Sequence, residues 1–467
     1  MSLIKSISGI RGTIGGPPGN ALTPVDIVKY TAAYGMWVLK GTSEAPTVVI
    51  GRDARLSGSM LTSIVAGTLQ GLGINVIDLG LSTTPTVEMA VTHFEAAGGI
   101  ILTASHNPIQ WNALKLLNSR GEFLSAEAGE QVLEFADQEN FVFADVKKIG
   151  TYRLDDTFLD QHIEAILALE LVDAEAIRGA DFRIAVDAVN STGGIAVPKL
   201  LEALGVAPEN ITKINCEPTG YFAHNPEPLP EHLHEISKTI EQGNFHLGIV
   251  VDPDVDRLAL IGEDGTPFGE EYTLVAVADY VLKHTPGNTV SNLSSTGALR
   301  DITQKAGHTY HASAVGEVNV VEAMKAHHAV IGGEGNGGVI YPALHYGRDA
   351  LAGIALFLTH LARFGKSVNA LRSTYPNYYI SKNKIELTPD IDVDLVLAAI
   401  VRKYAKQPVN TVDGVRIDFD KDWVHLRKSN TEPIIRIYSE SDLISTANNL
   451  ANKLIMDIKE ILSAPKE

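Results

Sequence analysis

Short runs of apolar, mostly β-branched residues alternate along this chain with longer segments in which apolar residues recur at helical spacing. The first such unit predicts a strand at residues 47–50, a helix at 57–72 and a strand at 75–79, each followed by a glycine. Similar units recur within residues 183–251 and 289–307. Because strands that alternate with helices form layered parallel sheets, we expect three similar α/β domains in series.

The C-terminal part of the chain has a different pattern, which predicts a small α+β domain. Short strands are expected at residues 384–387, 411–412, 415–418 and 423–426. A helix is expected at 393–404, and a last helix is expected to begin at Ser441, a suitable N-cap residue. The apolar face of that last helix consists of Leu443, Ala447, Leu450, Leu454 and Ile458.

The predicted fold class is therefore α/β, with three similar α/β domains in series and a smaller α+β domain at the C-terminus. We expect domain boundaries at residues 1–150, 151–262, 263–376 and 377–467, with a linker at 372–381. The length of 467 residues accommodates this division, since a domain holds about 100–200 residues.

Composition and charge narrow the range of partners. The formal net charge of −18 disfavours a protein that coats nucleic acid or an anionic membrane, but it permits a local basic pocket for a small phosphorylated ligand. Cys216 is the single cysteine, so no disulfide can form within the chain. The sequence has no apolar signal segment at its N-terminus and no apolar run long enough to span a membrane. We therefore expect a cytoplasmic protein whose partners include neither nucleic acid nor membrane.

Residues 103–108 (TASHNP) form a polar loop after an apolar run at 99–102. Ser105 therefore lies at the C-terminal end of a predicted strand, where α/β proteins place their ligands. A serine exposed there can act as a nucleophile when its adduct is stabilised. The alternative is a turn in which the serine only caps the backbone.

Residues 252–257 (DPDVDR) directly follow another predicted strand, at residues 247–251. The carboxylates of Asp252, Asp254 and Asp256 repel one another unless a cation neutralises them, and oxygen ligands favour a hard cation such as Mg²⁺. Arg257 adds a guanidinium that matches phosphate oxygens. The alternative is a solvated acidic turn.

Two further loops are rich in groups that bind sugars or phosphates. Residues 332–338 (GGEGNGG) combine glycines, which let a ligand approach the backbone closely, with Glu334 and Asn336, which can hydrogen-bond sugar hydroxyls. Residues 427–433 (RKSNTEP) offer a guanidinium, hydroxyls, an amide and backbone N–H groups suited to a phosphate. Each loop has a plain alternative, the first as a hairpin without a ligand and the second as a polar turn between strands.

In this order, the four loops resemble the motifs of the α-D-phosphohexomutase family, and the resemblance covers essentially the whole chain. Further segments that resemble motifs of this family are 8–13 (SGIRGT), 51–55 (GRDAR), 224–228 (HNPEP) and 315–317 (VGE). The resemblance implies a phosphosugar mutase with four domains around a central cleft.

The resemblance also implies a role for each loop residue. The residues expected to perform phosphoryl transfer are Ser105, which carries the phosphate, Lys115, the general acid/base, and His106, Arg11 and Arg257. The expected ligands of Mg²⁺ are Asp252, Asp254, Asp256 and an oxygen of phosphorylated Ser105. The expected substrate contacts are Glu334 and Asn336 on the sugar, and Arg427, Ser429, Asn430 and Thr431 on the non-reacting phosphate. A base role for Lys115 requires a lowered pKa, which we expect a nearby cation such as Arg11 to provide.

The implied reaction moves phosphate between C1 and C6 of a hexose phosphate through a phosphoserine and a sugar 1,6-bisphosphate, which is also the expected activator. The loop 332–338 resembles the corresponding loop in a branch of the family that is typified by archaeal enzymes and assigned as phosphoglucosamine mutase. We therefore expect the protein to convert glucosamine 6-phosphate to glucosamine 1-phosphate. Phosphomannomutase or phosphoglucomutase activity is the alternative within the family. Alternatives from other classes are a metal-dependent sugar phosphatase and a non-catalytic phosphosugar-binding protein.

Overall fold

The structure is a computed structural model of the chain, and it describes residues 2–6, 9–41, 45–388, 391–428 and 434–463. These residues form four successive sheets, each packed with helices. Short 3₁₀ helices lie at Val146–Lys148, Pro208–Asn210 and Pro230–His232. The expected series of α/β domains followed by a smaller α+β domain is confirmed.

The first domain is built on a mixed sheet. Its elements are β1 (Ile4–Ser6), β2 (Gly9–Thr13), α1 (Pro24–Lys40), β3 (Thr47–Arg52), α2 (Gly58–Gly71), β4 (Asn75–Leu81), α3 (Thr84–His93), β5 (Gly98–Leu102), β6 (Trp111–Leu117), α4 (Ala126–Gln138) and β7 (Tyr152–Leu154). The strand order is β1-β2-β6-β5-β3-β4-β7, with β4, β3 and β5 parallel and β6 antiparallel to β5. β7 follows the expected boundary at residue 150 and pairs with β4.

The second and third domains repeat the central part of that sheet. The second contains α5 (Phe158–Leu167), α6 (Ala174–Gly179), β8 (Ile184–Asp187), α7 (Gly193–Ala203), β9 (Ile211–Ile214), α8 (His234–Gln242), β10 (Leu247–Val251) and β11 (Leu258–Ile261). The third contains α9 (Glu270–His284), β12 (Asn288–Asn292), α10 (Ala298–Lys305), β13 (Tyr310–Ser313), α11 (Glu317–Ala326), β14 (Ala329–Glu334), β15 (Gly338–Ile340), α12 (Ala350–Phe364) and α13 (Val368–Arg372). Their strand orders are β11-β10-β8-β9 and β13-β12-β14-β15.

One connection recurs in all three of these sheets. A parallel strand is followed by an antiparallel neighbour in the pairs β5–β6, β10–β11 and β14–β15. The loops between the paired strands are the serine loop, the acidic loop and the glycine-rich loop identified in the sequence. They therefore leave their sheets at equivalent positions, the C-terminal ends of parallel strands.

The fourth domain is an antiparallel sheet covered by two helices in its described residues. Its elements are β16 (Tyr379–Glu386), α14 (Val393–Lys403), β17 (Val409–Asn410), β18 (Val415–Asp418), β19 (Trp423–Lys428), β20 (Ile434–Ser441) and α15 (Ile444–Ser463). The strand order is β16-β20-β19-β18-β17, and α14 and α15 pack against this sheet in a separate apolar core.

Three expectations for the C-terminal region are wrong in detail. Ser441 is not an N-cap but the last residue of β20, where it pairs with Tyr379. That pairing also places the end of the expected linker, 379–381, inside β16. The strand expected at 411–412 lies instead at Val409–Asn410. In each case cross-strand pairing, which local sequence does not reveal, decided the boundary.

The second and third domains share one continuous apolar core, which includes Ile166, Leu200, Val275 and Phe357. α12 packs against α6, α7 and α9 within it. The side chain of Asp349 caps the start of α12 by accepting hydrogen bonds from the backbone N–H groups of residues 351 and 352. The shared core fixes the acidic loop relative to the glycine-rich loop.

Candidate active site

The loops singled out in the sequence converge on one cleft of about 740 Å³ that is lined by residues of all four domains. The predicted site residues on its wall are Arg11, Ser105, His106, Lys115, Arg257, Glu334, Asn336 and Arg427. Asp252, Asp254 and Asp256 are buried directly behind Ser105 and Lys115. Ser429, Asn430 and Thr431 lie outside the described residues.

The serine loop is held in place by Arg55, from the 51–55 segment. Its guanidinium donates hydrogen bonds of 2.6–3.0 Å to the backbone carbonyl oxygens of Ser105, Asn107, Pro108 and Trp111. The carboxylate of Asp53 pairs with the Arg55 Nε at 3.0 Å. These bonds stabilise a strained turn, since Ser105 has a φ of 48°, in the left-handed region that residues other than glycine rarely adopt.

Ser105 connects the first domain to the second. Its hydroxyl donates a hydrogen bond to Asp252 Oδ2 at 2.8 Å, and its Oγ lies 3.3 Å from His106 Nδ1. The side chain that is expected to carry phosphate therefore contacts the acidic loop directly.

The three aspartates form a group that can hold a metal ion. Each offers one oxygen, and the three oxygens lie within 4.8 Å of one another. Oδ1 of Asp254 and Oδ1 of Asp256 are buried and have no hydrogen-bond partner among the described residues. Burial, together with the charges of Asp256 and Asp254, raises the pKa of Asp252 well above its usual value. Orphaned carboxylate oxygens in a buried acidic cluster fit a hard cation.

Lys115 lies on β6 and pairs with the same carboxylates, at 2.7 Å from Asp254 Oδ2 and 3.4 Å from Asp256 Oδ2. Burial lowers the pKa of Lys115, but the charges of Asp254 and Asp256 outweigh burial, and the pKa is raised overall. The expected lowering of this pKa is therefore wrong for the described arrangement. The cation that lowers the pKa of Lys115, against the effect of the aspartates, is Arg348 and not Arg11. The sequence did not single out Arg348.

Arg257 and His106 face Glu227, a residue of the 224–228 segment. Glu227 Oε1 lies 3.4 Å from Arg257 Nη1 and 4.0 Å from His106 Nε2. The Nε of Arg257 is buried and has no hydrogen-bond partner among the described residues. Burial and the charge of Arg257 lower the pKa of His106 well below its usual value, so the imidazole is neutral near pH 7.

The glycines of the 332–338 loop make room for the protein's own side chains. A Cβ at Gly335 would lie 2.0 Å from Oε2 of Glu271, and a Cβ at Gly338 would lie 2.4 Å from Cδ of Arg348. The sequence-based interpretation assigned this space to a ligand. Burial raises the pKa of Glu271, which also lines the cleft, to about 8.

The two polar residues of this loop are themselves bonded within the protein. Glu334 Oε1 accepts hydrogen bonds from Asn292 Nδ2 at 2.8 Å and from the Gly316 N–H at 3.0 Å, and Glu334 Oε2 pairs with Arg348. Asn336 Oδ1 accepts a hydrogen bond from the Gly338 N–H at 3.2 Å. Both side chains are thus oriented before any ligand binds.

Arg427 projects from β19 toward the cleft and faces Asp413, whose Oδ2 lies 2.7 Å from the Arg427 Nε. The Arg427 N–H does not point at that oxygen in hydrogen-bond geometry, and Asp413 Oδ2 instead accepts a bond from the Val315 N–H at 2.9 Å. Across the cleft, burial and the charge of Arg436 lower the pKa of Arg11. Arginines of the first and fourth domains therefore face one another, an arrangement suited to an anion.

Sequence models of the phosphoglucomutase/phosphomannomutase family match the chain in four consecutive segments. Alpha/beta/alpha domains I, II and III match residues 3–143, 160–265 and 269–378, and the C-terminal domain matches residues 388–455. The chain belongs to the phosphoglucomutase/phosphomannomutase family. It is therefore an enzyme of the phosphohexomutase class, whose members are isomerases that transfer phosphate.

Individual relatives in this family have different names. A phosphoglucomutase/phosphomannomutase of Thermococcus kodakarensis is 36% identical over 435 residues, which cover 93% of each chain. A phosphoglucosamine/phosphogalactosamine mutase of Sulfurisphaera tokodaii is 30% identical over 460 residues, which cover 97% of this chain and 98% of the relative. The crystal structure of a phosphoglucomutase/phosphomannomutase family protein from Burkholderia thailandensis has the same fold, with a TM-score of 0.83, 24% identity and 99% coverage of both chains.

Sequence reasoning missed several residues that build this phosphohexomutase site. Arg55 lay in a recognised segment, but no role was read from it. Arg348, Asp413 and Glu271 gave no local signal, because each contacts a residue far away in the sequence, namely Asp256, Val315 and Gly335 respectively. Among the described residues, no helix is both long enough and apolar enough to cross a membrane.

Proposed function

We propose that the chain moves phosphate between C1 and C6 of a hexose phosphate through a phosphoserine at Ser105 and a sugar 1,6-bisphosphate intermediate. The observation that carries this proposal is the contact between the Ser105 hydroxyl and Asp252 in a cleft lined by all four domains. Membership of the phosphohexomutase class supports it. We also propose that the four domains comprise residues 1–150, 151–262, 263–376 and 377–467.

We propose Mg²⁺ as the cation, held by Asp252, Asp254, Asp256 and an oxygen of phosphorylated Ser105. The orphaned oxygens of Asp254 and Asp256 support this assignment, since Mg²⁺ takes oxygen ligands. When bound, the cation supplies positive charge beside the transferring phosphoryl group.

The protein supplies further positive charge through Arg257 and Arg11. The Nε atoms of both arginines are buried without a hydrogen-bond partner among the described residues. The oxygens of a phosphate would accept hydrogen bonds from these donors, and the resulting charge-assisted bonds stabilise a phosphoryl group during its transfer. Neutral His106, beside the Ser105 Oγ, can donate a hydrogen bond without adding charge.

Lys115 is the proposed general acid/base, which transfers a proton to or from the sugar oxygen. In the described arrangement it is protonated, and it can donate to the oxygen of the leaving group. To accept a proton from an attacking sugar hydroxyl, Lys115 must first lose its ion pairs with Asp254 and Asp256. The O–P bond of phosphoserine breaks as the bond to the sugar oxygen forms, and in the second half-reaction the other phosphate of the bisphosphate returns to Ser105.

The opposite side of the cleft holds the rest of the substrate. We propose that Glu334 and Asn336 bind sugar hydroxyls, and that Arg427, with Ser429, Asn430 and Thr431, binds the non-reacting phosphate. The bisphosphate must reorient in the cleft between the two transfers, so these residues must be able to bind the phosphate at either end of the sugar. The bisphosphate is also the activator that restores phosphate to Ser105.

Glucosamine 6-phosphate is the substrate we propose, with glucosamine 1-phosphate as the product. The glycine-rich loop with Asn336 and the name of the Sulfurisphaera tokodaii relative support an amino sugar. Mannose and glucose phosphates are the second candidate, because the Thermococcus kodakarensis relative is named for them. A coupled assay of the three hexose 6-phosphates on the purified protein decides between these substrates.

The phosphoserine assignment is tested by peptide mass spectrometry and by Ser105→Ala. We expect native Ser105 to be phosphorylated in a fraction of the protein, and Ser105→Ala to reduce turnover by about 1,000-fold or more. Ser63→Ala, an exposed serine on α2 of the same domain, is the matched control. Full activity of Ser105→Ala would exclude the nucleophile role, and release of inorganic phosphate at the rate of sugar turnover would favour the phosphatase.

A further inference from the structure

Arg348 joins three carboxylates that come from different parts of the chain. Its Nη2 lies 2.7 Å from Asp256 Oδ2, its Nη1 lies 3.0 Å from Glu334 Oε2, and its Nε lies 3.0 Å from Glu317 Oε2. Arg348 as a whole residue is 8% exposed. One buried guanidinium therefore contacts the acidic loop of the second domain and the glycine-rich loop of the third.

The backbone fixes Arg348 where these contacts are possible. Arg348 bridges to Ile340 and directly precedes Asp349, the N-cap of α12. Its N–H donates to Glu317 Oε1 at 3.2 Å. Its side chain then passes over Gly338, where a Cβ would lie 2.4 Å from the Arg348 Cδ. The glycine at position 338 is therefore required by Arg348.

The charges explain why the group remains ionised. Burial lowers the pKa of Arg348, but Asp256, Glu317 and Glu334 raise it well above its usual value. The pairing uses Oδ2 of Asp256 and leaves its Oδ1 as one of the two orphaned oxygens of the acidic cluster. It likewise fixes Oε2 of Glu334, while Asn292 and Gly316 hold Oε1.

We propose that Arg348 is a positioning residue that sets the metal-binding carboxylate of Asp256 and the sugar-binding carboxylate of Glu334 in one fixed relation. The inference rests on the proposed function and assigns Arg348 a part in it. A planar guanidinium can point separate N–H groups at three carboxylates, whereas a lysine ammonium, on a flexible stem, cannot reproduce that fork. Loss of the fork therefore weakens both binding sites together.

The test measures binding without turnover. Full-length protein, dephosphorylated at Ser105, is titrated calorimetrically with Mg²⁺ alone and with glucosamine 6-phosphate alone. We expect Arg348→Lys to weaken Mg²⁺ binding by about 10- to 100-fold, as loss of a group that orients a metal ligand does, and to weaken sugar phosphate binding by about tenfold. Arg416→Lys is the control, since Arg416 is also a buried arginine but contacts neither loop.

A second variant displaces Arg348 while keeping the arginine itself. Gly338→Ala lies in the glycine-rich loop, yet we expect it to weaken Mg²⁺ binding about tenfold, because its Cβ displaces Arg348 from Asp256. Gly287→Ala, in the same domain but outside the cleft, meets Val330 at the same distance of 2.4 Å and should leave the Mg²⁺ affinity unchanged. If Mg²⁺ binding is unchanged in Arg348→Lys, or in Gly338→Ala should the lysine variant not fold, the coupling is wrong. A native protein that binds no hexose phosphate would instead refute the proposed function.

Discussion

The joint between the second and third domains differs in kind from the joint between the third and the fourth. The first is one apolar core, in which Ile166 and Phe357 are completely buried. At the second, hydrogen bonds are prominent: Ser294 Oγ lies 2.9 Å from His425 Nδ1, and the Gly297 N–H donates to Glu440 at 2.9 Å. The fourth domain has an apolar core of its own.

This difference has a consequence for the cleft. Opening an apolar core exposes surface at a cost of about 25 cal/mol per Å², whereas a hydrogen bond that water can replace contributes only about 1 kcal/mol. The acidic loop and the glycine-rich loop therefore form one fixed unit. The surface that carries Arg427 is attached by hydrogen bonds that water can replace. This suits a phosphate-binding surface that must release the intermediate and bind it again after it has reoriented.

The largest expected loss of Mg²⁺ binding comes from the fixed unit. Asp254→Asn removes one negative ligand from the acidic cluster, so Mg²⁺ affinity and Mg²⁺-dependent turnover should each fall about 100-fold. Calorimetric Mg²⁺ titration and steady-state kinetics measure these losses. Asp160→Asn, a surface acid of the same domain that pairs with Lys199, should change neither. Unchanged metal dependence in Asp254→Asn would mean that the aspartates are only a buried acidic turn.

The polar joint should respond to pH through His425. Burial lowers the pKa of His425 to about 4. Between pH 4 and about 6.5 the unfolded histidine therefore binds a proton that the native one does not, and the native state loses up to about 3 kcal/mol as the pH falls through this window. Hydrogen exchange of the amides in β19 and β20 measures the loss.

The control for this pH effect is His425→Gln, which has no titrating group but can still donate to the Asp413 carbonyl oxygen, 2.6 Å from the native Nε2. The difference between the two proteins isolates His425 from other titrating groups. If exchange in both proteins depends equally on pH, the titration of His425 is not what destabilises the joint.

The contribution of the fourth domain to binding is tested by Arg427→Ala. A charge-assisted hydrogen bond contributes about 1.5–3 kcal/mol, so losing one should weaken substrate binding by about 10- to 150-fold. The bisphosphate should also escape more often before its second transfer, which a product analysis detects. Lys428→Ala is the control, because this neighbouring cation pairs with exposed Asp394. Normal KM and normal retention of the intermediate would remove Arg427 from the site.

The smallest expected effect concerns selectivity. Asn336→Ser shortens a side chain that stabilises its own loop, so relative kcat/KM among glucosamine, mannose and glucose phosphates should shift by several-fold, about 1 kcal/mol, with little change in stability. Asn319→Ser, also on the cleft wall, provides the comparison. Constant ratios in Asn336→Ser would place selectivity elsewhere in the cleft.

Local sequence was informative where a segment carries its own chemistry. The strand at Leu247–Val251 and the strand at Val415–Asp418 were predicted residue for residue, because each is a short apolar or alternating run with polar ends. The aspartates stand at alternate positions after such a strand, so their clustering was also predictable. The strand β20, which ends at Ser441, was not, because its boundary depends on pairing with β16.

The sequence by itself determined the α/β layering, the order of the four loops and the types of group they carry, since hydrophobic periodicity and motif spacing are local properties. Only the tertiary structure decided how those groups are held. Arg55 supports the Ser105 turn, Asp254 and Asp256 reverse the expected pKa shift of Lys115, and Arg348 pairs with Asp256. Each of these contacts joins residues far apart in the chain, and Coulomb interactions and packing depend on distance in space rather than on distance along the sequence.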